Sequence, residues 1–185
     1  MTLLRFGTAA TPVGTAVIAV TERGLVSLDI DDSPPEHVIA PLARQLDAVV
    51  ARDDSTVAPV ARQLDEYFAG ERTAFDIALD LSPTRGFPLA ALRAILDIPY
   101  GETAAYGEVA VLAGAPGAAR AVGTACARTP ISIVIPVHRV VRSDGSIGRY
   151  GRDPDAKRYL IDLEHRVAPG GILMRSEHRR STRSP

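Results

Sequence analysis

Few side chains in this chain of 185 residues could act as a nucleophile or bind a metal ion. Its single cysteine, Cys126, lies four residues after Val122 in a predicted helix, on the side away from Arg120. We therefore expect the thiol to pack in the core rather than to react. One cysteine cannot form an internal disulfide, and no cluster of Cys and His has metal-ligand spacing. The sequence predicts neither a metal nor a cofactor.

An acid in the last predicted helix lies where it should need a polar partner. Glu164 lies at the edge of the apolar stripe of the last predicted helix. A carboxylate in that position usually needs a partner, and His138 is the candidate. The stripe consists of Ala156, Tyr159, Leu160, Leu163 and Val167. A purely structural role for the pair is the alternative.

Charge is distributed unevenly along the chain. Residues 1–85 carry 7 basic and 13 acidic side chains, a net charge of −6, whereas residues 86–185 carry 14 and 9, a net charge of +5. Almost all of the basic residues are arginines, which suit bidentate contacts to phosphates and base edges, and Lys157 is the only lysine. The second half could therefore face a polyanion, although codon bias and a solvated surface explain the same composition.

The spacing of apolar residues within residues 1–81 predicts a small sheet with helices. Apolar spacing predicts short strands within residues 8–30, with a turn at residues 22–24. One helix is expected over residues 36–51 and a second before Gly70. Alternating apolar residues predict another strand over residues 75–81. The second helix is indicated by the spacing of Val57, Val60, Ala61, Leu64, Tyr67 and Phe68.

The second half predicts a mostly helical domain after a linker at residues 82–86, where the charge changes sign. Two short helices over residues 108–112 and 118–127, joined by a tight turn, resemble a helix-turn-helix. Apolar residues 131–135 predict a buried extended segment that the following proline ends. The other expected elements are a helix over residues 89–96, a turn at residues 143–145 and a last helix that opens at Asp153-Pro154.

Three stretches together resemble the O6-alkylguanine-DNA alkyltransferases in order and spacing. They are residues 98–110 (IPYGETAAYGEVA), 117–123 (GAARAVG) and 133–141 (IVIPVHRVV), and the family's acceptor motif is Pro-Cys-His-Arg-Val. The resemblance covers most of residues 87–168, and the layout of residues 1–81 is similar to the family's amino-terminal domain. We expect an α/β (α+β) fold, with a small sheet-and-helix domain before a mostly helical, winged-helix-like domain that contains the helix-turn-helix.

The resemblance and the composition together predict the domain organisation. An amino-terminal α/β domain is expected over residues 1–82, an alkyltransferase-like DNA-binding domain over residues 87–170, and a mobile basic tail over residues 171–185. No apolar stretch is long enough to span a bilayer, and the start of the chain lacks the layout of a signal peptide. A cytoplasmic monomer without a membrane partner is therefore expected.

The resemblance also implies roles for individual residues. The family flips a damaged guanine out of the duplex, and a cysteine thiolate removes its O6-alkyl group. By motif, Arg120 corresponds to the arginine that fills the vacated stack, and Tyr106 to the tyrosine that crowds the target phosphate. His138 and Glu164 correspond to the pair that draws the proton from the thiol through a water. The remaining implied residues are Val137, Val140 and Tyr150 around the base, and Arg128, Arg139 and Arg142 as further DNA contacts.

Structural interpretations of the same residues remain open. Arg120 could be a solvated arginine, although the small residues around it would let its helix approach DNA closely. Tyr106 and Tyr150 could be core aromatics with satisfied hydroxyls.

The chain departs from the family at two positions. Val137 stands where the family has its acceptor cysteine, and a valine side chain offers only methyl groups, so it cannot accept an alkyl group. Thr129 replaces the family's asparagine before Pro130. It could keep part of the hydrogen bonding of that turn but loses the amide. The reactive site is therefore altered twice.

These departures leave three functional hypotheses. The first is a non-catalytic protein that binds double-stranded DNA at O6-alkylguanine, flips the base and marks it for other repair machinery, possible partners being nucleotide-excision repair proteins. Such alkyltransferase-like relatives usually lack the amino-terminal domain that this chain retains. The second is an active methyltransferase whose acceptor cysteine was substituted at Val137. The third is a helix-turn-helix DNA-binding protein without lesion preference.

Overall fold

A computed structural model describes residues 2–148 and 154–168 of the chain. The described part contains a sheet-and-helix domain followed by a mostly helical domain, as the sequence predicts. Its strands are β1 (Thr2–Thr11), β2 (Gly14–Thr21), β3 (Gly24–Ile30), β4 (Ala48–Arg52), β5 (Ala104–Ala105) and β6 (Val140–Val141). Its helices are α1 (Glu36–Leu46), α2 (Asp54–Phe68), α3 (Gly86–Leu96), α4 (Tyr106–Leu112), α5 (Ala119–Ala127) and α6 (Pro154–Val167), with a 3-10 turn at Val137–Arg139.

The four long strands form one sheet in the order β3-β2-β1-β4, with β4 parallel to β1 and the other pairs antiparallel. Alternate residues of β2 face opposite sides of this sheet. Ala16 and Ile18 belong to the large core that includes α2, whereas Val17 and Ala19 pack in a smaller cluster with Ile39 of α1. Both faces of the sheet are therefore covered by helices.

The large core continues from the sheet into the helical domain. It joins Leu64 of α2 to Leu92 of α3, Val122 of α5 and Leu160 of α6, and all four side chains are at most 1% exposed. Ile131 also forms a bridge to Leu28 of β3. The two domains thus share one body of buried apolar side chains, which fixes α6 relative to α2.

The structure confirms most of the predicted helices. Helix α2 follows the predicted apolar spacing, and its N-cap Asp53 accepts a hydrogen bond from the Thr56 amide at 3.1 Å. Helices α4 and α5 form the predicted helix-turn-helix, and the turn at residues 143–145 is present. Asp153 and residues 171–185 lie outside the described residues. Within the described ranges, no helix has both the length and the apolar character that crossing a bilayer requires.

The helix predicted over residues 36–51 is wrong at its carboxyl end. It stops at Leu46, where Asp47 adopts a left-handed backbone with φ of 48°. The next five residues form β4 instead, since consecutive valines favour an extended chain that pairs with β1. The first strand also begins at Thr2, ahead of the predicted strand region.

Two predicted extended segments are less regular than expected. Residues 75–81 form no strand. Their backbone meets the sheet at one bridge, between Leu79 and Leu25, and the Asp80 carboxylate accepts the Thr21 hydroxyl at 2.7 Å. The apolar run at residues 131–135 folds back on itself, because Ile133 has φ of 68° and Ser132 pairs with Ile135. Apolar alternation revealed that one face of each segment packs against the core, half-buried in residues 75–81 and buried in residues 131–135, but it could not reveal which backbone groups pair.

Replacement of Gly24 should test how the segment at residues 75–81 is attached to the sheet. Gly24 has φ of +129°, and a Cβ atom there would collide with the carbonyl group of Ala78. We expect Gly24→Ala to lower the free energy of unfolding by about 3 kcal/mol. Gly86→Ala is the matched control, since Gly86 has φ of +64° and open space around it, so about 1 kcal/mol is expected. Equal losses in denaturant unfolding would contradict the close approach.

Candidate functional site

The turn at Val137–Arg139 occupies the centre of the molecule between the two domains. Folding back of the preceding residues brings the Val137 amide to 2.7 Å from the Ile135 carbonyl oxygen. The residues after the turn form β6, where Val140 pairs with Ala104 of β5. Val137 and Val140, two of the three residues predicted to surround the base, are 3% and 0% exposed and lie on one buried segment.

The carboxylate of Glu164 accepts hydrogen bonds from four residues in three segments: the turn itself, α2 and the loop at Gly101. His138 Nε2 lies 2.8 Å from Oε1, and Tyr67 donates its hydroxyl to Oε1 at 2.7 Å. Arg139 donates Nε to Oε2 at 2.9 Å and Nη2 to Oε1 at 3.0 Å. The Gly101 amide donates to Oε2 at 3.1 Å. The structure therefore brings together the predicted pair, His138 and Glu164, in direct contact.

This network keeps Glu164 ionised and His138 neutral. Burial alone would raise the pKa of Glu164, but the hydrogen bonds from His138 and Arg139 and the positive charge of Arg139 outweigh it and lower that pKa to about 2. Burial lowers the pKa of His138, because the fully enclosed ring loses hydration in its charged form, and the neighbouring carboxylate offsets only part of this effect. A neutral imidazole beside an ionised acid is the state that a general base requires.

Arg139 does not fit its expected role as a DNA contact. The side chain is only 8% exposed, and its guanidinium group is occupied by Glu164 and by the carbonyl oxygen of Ile98, at 2.6 Å from Nη1. The buried carboxylate needs the positive charge of this guanidinium group, which explains why the arginine side chain points inward. The sequence pattern predicted a basic residue at this position but could not predict the direction of its side chain.

The other predicted DNA contacts lie on the surface. Arg120 projects from α5, Arg128 follows the end of that helix, and Arg142 follows β6; all three are exposed. Tyr106 begins α4 with its ring partly buried, and its hydroxyl lies so close to Gly148 that a Cβ atom there would be 2.6 Å away. Tyr150 lies outside the described residues.

Thr129 and Cys126 both precede the turn at Val137–Arg139 in the chain. Thr129 Oγ1 lies 3.5 Å from the Ile131 carbonyl oxygen, a long contact that leaves its support of the turn weak. Cys126 packs against the large core, and burial raises the pKa of its thiol to about 11, although the charge of Lys157 opposes the shift. The thiol is therefore protonated at neutral pH and is a poor nucleophile.

Two buried polar side chains in this region were missed by the sequence analysis. Tyr67 was read only as part of the apolar stripe of α2, although its buried hydroxyl needs a partner. Lys157 is 1% exposed, donates Nζ to the Val140 carbonyl oxygen, and lies 5.8 Å from the centre of the Tyr106 ring. Burial lowers the pKa of Lys157 to about 8. The signal for both was a polar residue at a core position of a helix.

A sheet-and-helix domain, a helix-turn-helix domain and a buried acid–histidine pair are the features of one family of DNA repair proteins. Residues 4–81 match "6-O-methylguanine DNA methyltransferase, ribonuclease-like domain", and residues 86–166 match "6-O-methylguanine DNA methyltransferase, DNA binding domain". The two matches cover most of the chain. The protein belongs to the 6-O-methylguanine DNA methyltransferase family.

Individual relatives agree with this assignment. The chain is 49% identical to a methylated-DNA–protein-cysteine methyltransferase of Mycobacterium tuberculosis over 108 residues, which are 58% of this chain and 65% of that protein. The match thus spans slightly less than two thirds of the mycobacterial relative. A methyltransferase of the same name from Methanosarcina barkeri is 38% identical over 164 residues, which are 83% of this chain and 92% of the relative.

Solved structures share the fold. The crystal structure of the Mycobacterium tuberculosis O6-methylguanine methyltransferase superposes with a TM-score of 0.75 at 38% identity, covering 92% of this chain and 96% of that one. A structure of the same organism's protein in complex with DNA gives a TM-score of 0.71 at 36% identity, with 91% and 96% coverage. Both domains therefore have counterparts in solved structures.

The acid dependence of stability should depend on Glu164. Its pKa in the folded chain is about 2, against an ordinary value of 4.5, so the stability that its ionisation contributes is complete above pH 4.5 and is lost as the pH falls towards 2. We expect this group to account for about 3 kcal/mol of the loss. Glu164→Gln should lower stability at neutral pH and flatten the profile in this window, measured by denaturant unfolding.

A second acid on the same helix provides the control for this measurement. Asp162 is exposed and lies two residues before Glu164, on the opposite side of α6, so Asp162→Asn should leave the acid profile unchanged. An acid profile of Glu164→Gln that follows the parent protein would show that Glu164 is not ionised by its neighbours.

Proposed function

We propose that this protein binds O6-alkylguanine in double-stranded DNA, flips the damaged base into the pocket at Val137–Arg139, and does not transfer the alkyl group. The observation that carries the proposal is a buried acid–histidine pair with no nucleophile beside it at the family's acceptor position. The acid–histidine pair is assembled as a proton relay needs it, yet the side chain beside it is that of Val137. A DNA repair role as a lesion marker follows from these two features.

The lack of transfer follows from the chemistry of the reaction. Removal of an O6-alkyl group needs a soft nucleophile that attacks carbon and keeps the alkyl group. Val137 has no lone pair, and the hydroxyl of Thr129 is a hard, protonated group whose only hydrogen bond in the described structure is a long one. Cys126 is a protonated thiol packed against the core. No described side chain at the pocket can therefore replace a thiolate.

Binding of the lesion does not need a nucleophile, and the groups assigned to binding are present in this chain. Base flipping exposes the edge of guanine to backbone groups, and we assign this contact to the backbone at Val137 and Val140. Lys157 donates to the Val140 carbonyl oxygen, which holds that group in a fixed direction. Tyr106 stands above Lys157 at the entrance and is assigned to the target phosphate.

The DNA-facing surface is assigned to the helix-turn-helix. Arg120 is exposed on α5 among alanines and a glycine, so its guanidinium group can enter the duplex while the backbone stays close to it. Arg128 and Arg142 are exposed near the same helix and are assigned to phosphates. The similarity to a mycobacterial protein solved in complex with DNA supports this orientation.

A bound lesion without transfer has a biological use only if other proteins act on it. We therefore extend the proposal to recruitment of an excision pathway, with nucleotide-excision repair proteins as the partners. The retained amino-terminal domain adds an acidic surface, since residues 1–85 carry a net charge of −6, and this surface is suited to contact a partner rather than DNA.

Competition between duplexes with and without O6-methylguanine should test the proposal. We expect the lesion duplex to bind at least about tenfold more tightly, because a damaged base costs less to unstack and fills the pocket. Intact-protein mass after incubation should be unchanged, because no nucleophile lies beside the base. Equal binding to both duplexes would favour a helix-turn-helix protein without lesion preference, and a methyl adduct at Cys126 would overturn the assignment of that thiol to the core.

Two arginine variants test whether Arg120 is the residue that fills the vacated stack. Arg120→Ala should weaken binding of the lesion duplex and reduce the fluorescence rise of 2-aminopurine placed next to the lesion. Arg62→Ala is the matched control, because Arg62 is an exposed arginine on α2 in the sheet domain. If both variants behave as the parent protein does, Arg120 does not fill the vacated stack.

A further inference from the structure

One side chain of the sheet domain reaches the acid–histidine pair. Tyr67 lies near the end of α2 and is 0% exposed, and its hydroxyl donates to Glu164 Oε1 at 2.7 Å. The same hydroxyl oxygen is 3.5 Å from His138 Nε2, which itself lies 2.8 Å from Oε1. Tyr67 and His138 therefore share one carboxylate oxygen, although they belong to different domains.

The position of Tyr67 is fixed by aromatic packing. Its ring lies 5.4 Å from the ring of Phe68, 5.3 Å from Phe75 and 6.1 Å from Tyr100, measured between ring centres. Two of these contacts are edge-to-face, the geometry that aromatic pairs prefer. The hydroxyl is therefore held at Oε1 by contacts that do not involve Glu164.

The hydroxyl changes what Glu164 can do for His138. A carboxylate has about four lone-pair positions, and this one already accepts from the Arg139 fork and the Gly101 amide. Each further donor stabilises the ionised form and reduces the attraction of the carboxylate for a proton on His138. The phenol itself stays protonated, since burial raises the pKa of Tyr67.

We infer that Tyr67 is a positioning residue through which the sheet domain sets the proton affinity of His138 and the placement of the turn at Val137–Arg139. It acts through Glu164 and does not contact the flipped base. This inference rests on the proposed function only for its effect on lesion binding. The effect on His138 is a property of the protein without DNA.

Other charged groups around His138 also influence its proton affinity. Glu164 and Lys157 face the ring from α6, and Arg139 adjoins it on the turn. The positive charges of Arg139 and Lys157 disfavour an imidazolium, whereas Glu164 favours it. Loss of the Tyr67 hydroxyl would strengthen only the Glu164 contribution, so His138 should bind a proton at higher pH.

The test compares the titration of His138 in the full chain and in Tyr67→Phe, without DNA, by NMR of the imidazole carbon-bound protons. His138→Gln identifies the resonance. We expect the midpoint of His138 to rise by about one pH unit in Tyr67→Phe. Tyr159→Phe is the matched control, because Tyr159 lies on α6 and contacts the same aromatic cluster through Phe68. It should leave the midpoint unchanged.

A second substitution should produce the opposite shift. Site-specific 3-fluorotyrosine at position 67 is a stronger hydrogen-bond donor of nearly the same volume, so the His138 midpoint should fall below that of the parent protein. This variant keeps the inference testable even if Tyr67→Phe unfolds. Identical behaviour of His138 in all folded variants, including an absence of titration in every one, would overturn the inference, as would equal shifts in Tyr159→Phe.

Lesion binding separates this inference from the proposed function. Tyr67→Phe should weaken binding of the O6-methylguanine duplex a few-fold, because the turn is less well held, while binding of an undamaged duplex stays the same. A shifted His138 midpoint in a protein that has no lesion preference would support the positioning role and reject the proposed function. A lesion preference with an unshifted His138 midpoint would reject the positioning role and support the proposed function.

Discussion

The ionised carboxylate of Glu164, buried at the junction of the two domains, is the interaction on which the rest of the site depends. It is 1% exposed and accepts hydrogen bonds from Tyr67, Gly101, His138 and Arg139. A buried charge with fewer partners would lower the free energy of unfolding by roughly several kcal/mol. Each donor is therefore needed for the fold as well as for the site. The same bonds hold the central turn, keep the histidine neutral and tie the sheet domain to the helical domain. Glu164 and its donors therefore serve the fold and the site together.

This constraint explains how a site can keep its architecture without its reaction. The network under the turn is complete without a nucleophile at Val137, because that side chain makes none of the hydrogen bonds. Under the proposed function, the absence of an acceptor would remove the reaction at little cost in stability, whereas loss of Glu164 would leave Arg139 as an unpaired buried charge. It also explains why the sheet domain is retained, since Tyr67 and the apolar core of α2 belong to the same junction.

The sequence predicted the features that depend on local pattern and on motif spacing. Helical spacing located α2, and the motifs identified Val137 as the acceptor position and His138 as its neighbour. Side-chain direction could not be predicted, because a motif does not reveal which arginine neutralises a buried acid, and Arg139 was assigned to DNA for that reason. Tyr67 was invisible as a site residue, since its partner lies 97 residues away in the sequence and only the packed domains bring them together.

The central claim is that the proposed site fails to transfer an alkyl group because it has no nucleophile, and restoring a thiol tests this claim most directly. In Val137→Cys, which nearly conserves volume, a thiol would lie beside the His138–Glu164 pair. The measurement is transfer of a labelled methyl group from an O6-methylguanine duplex to protein under single-turnover conditions. We predict no transfer to the parent chain and slow transfer to the introduced thiol, slow because Thr129 braces the turn poorly. Tight lesion binding by Val137→Cys without any transfer, even after Thr129→Asn is added, would contradict the account.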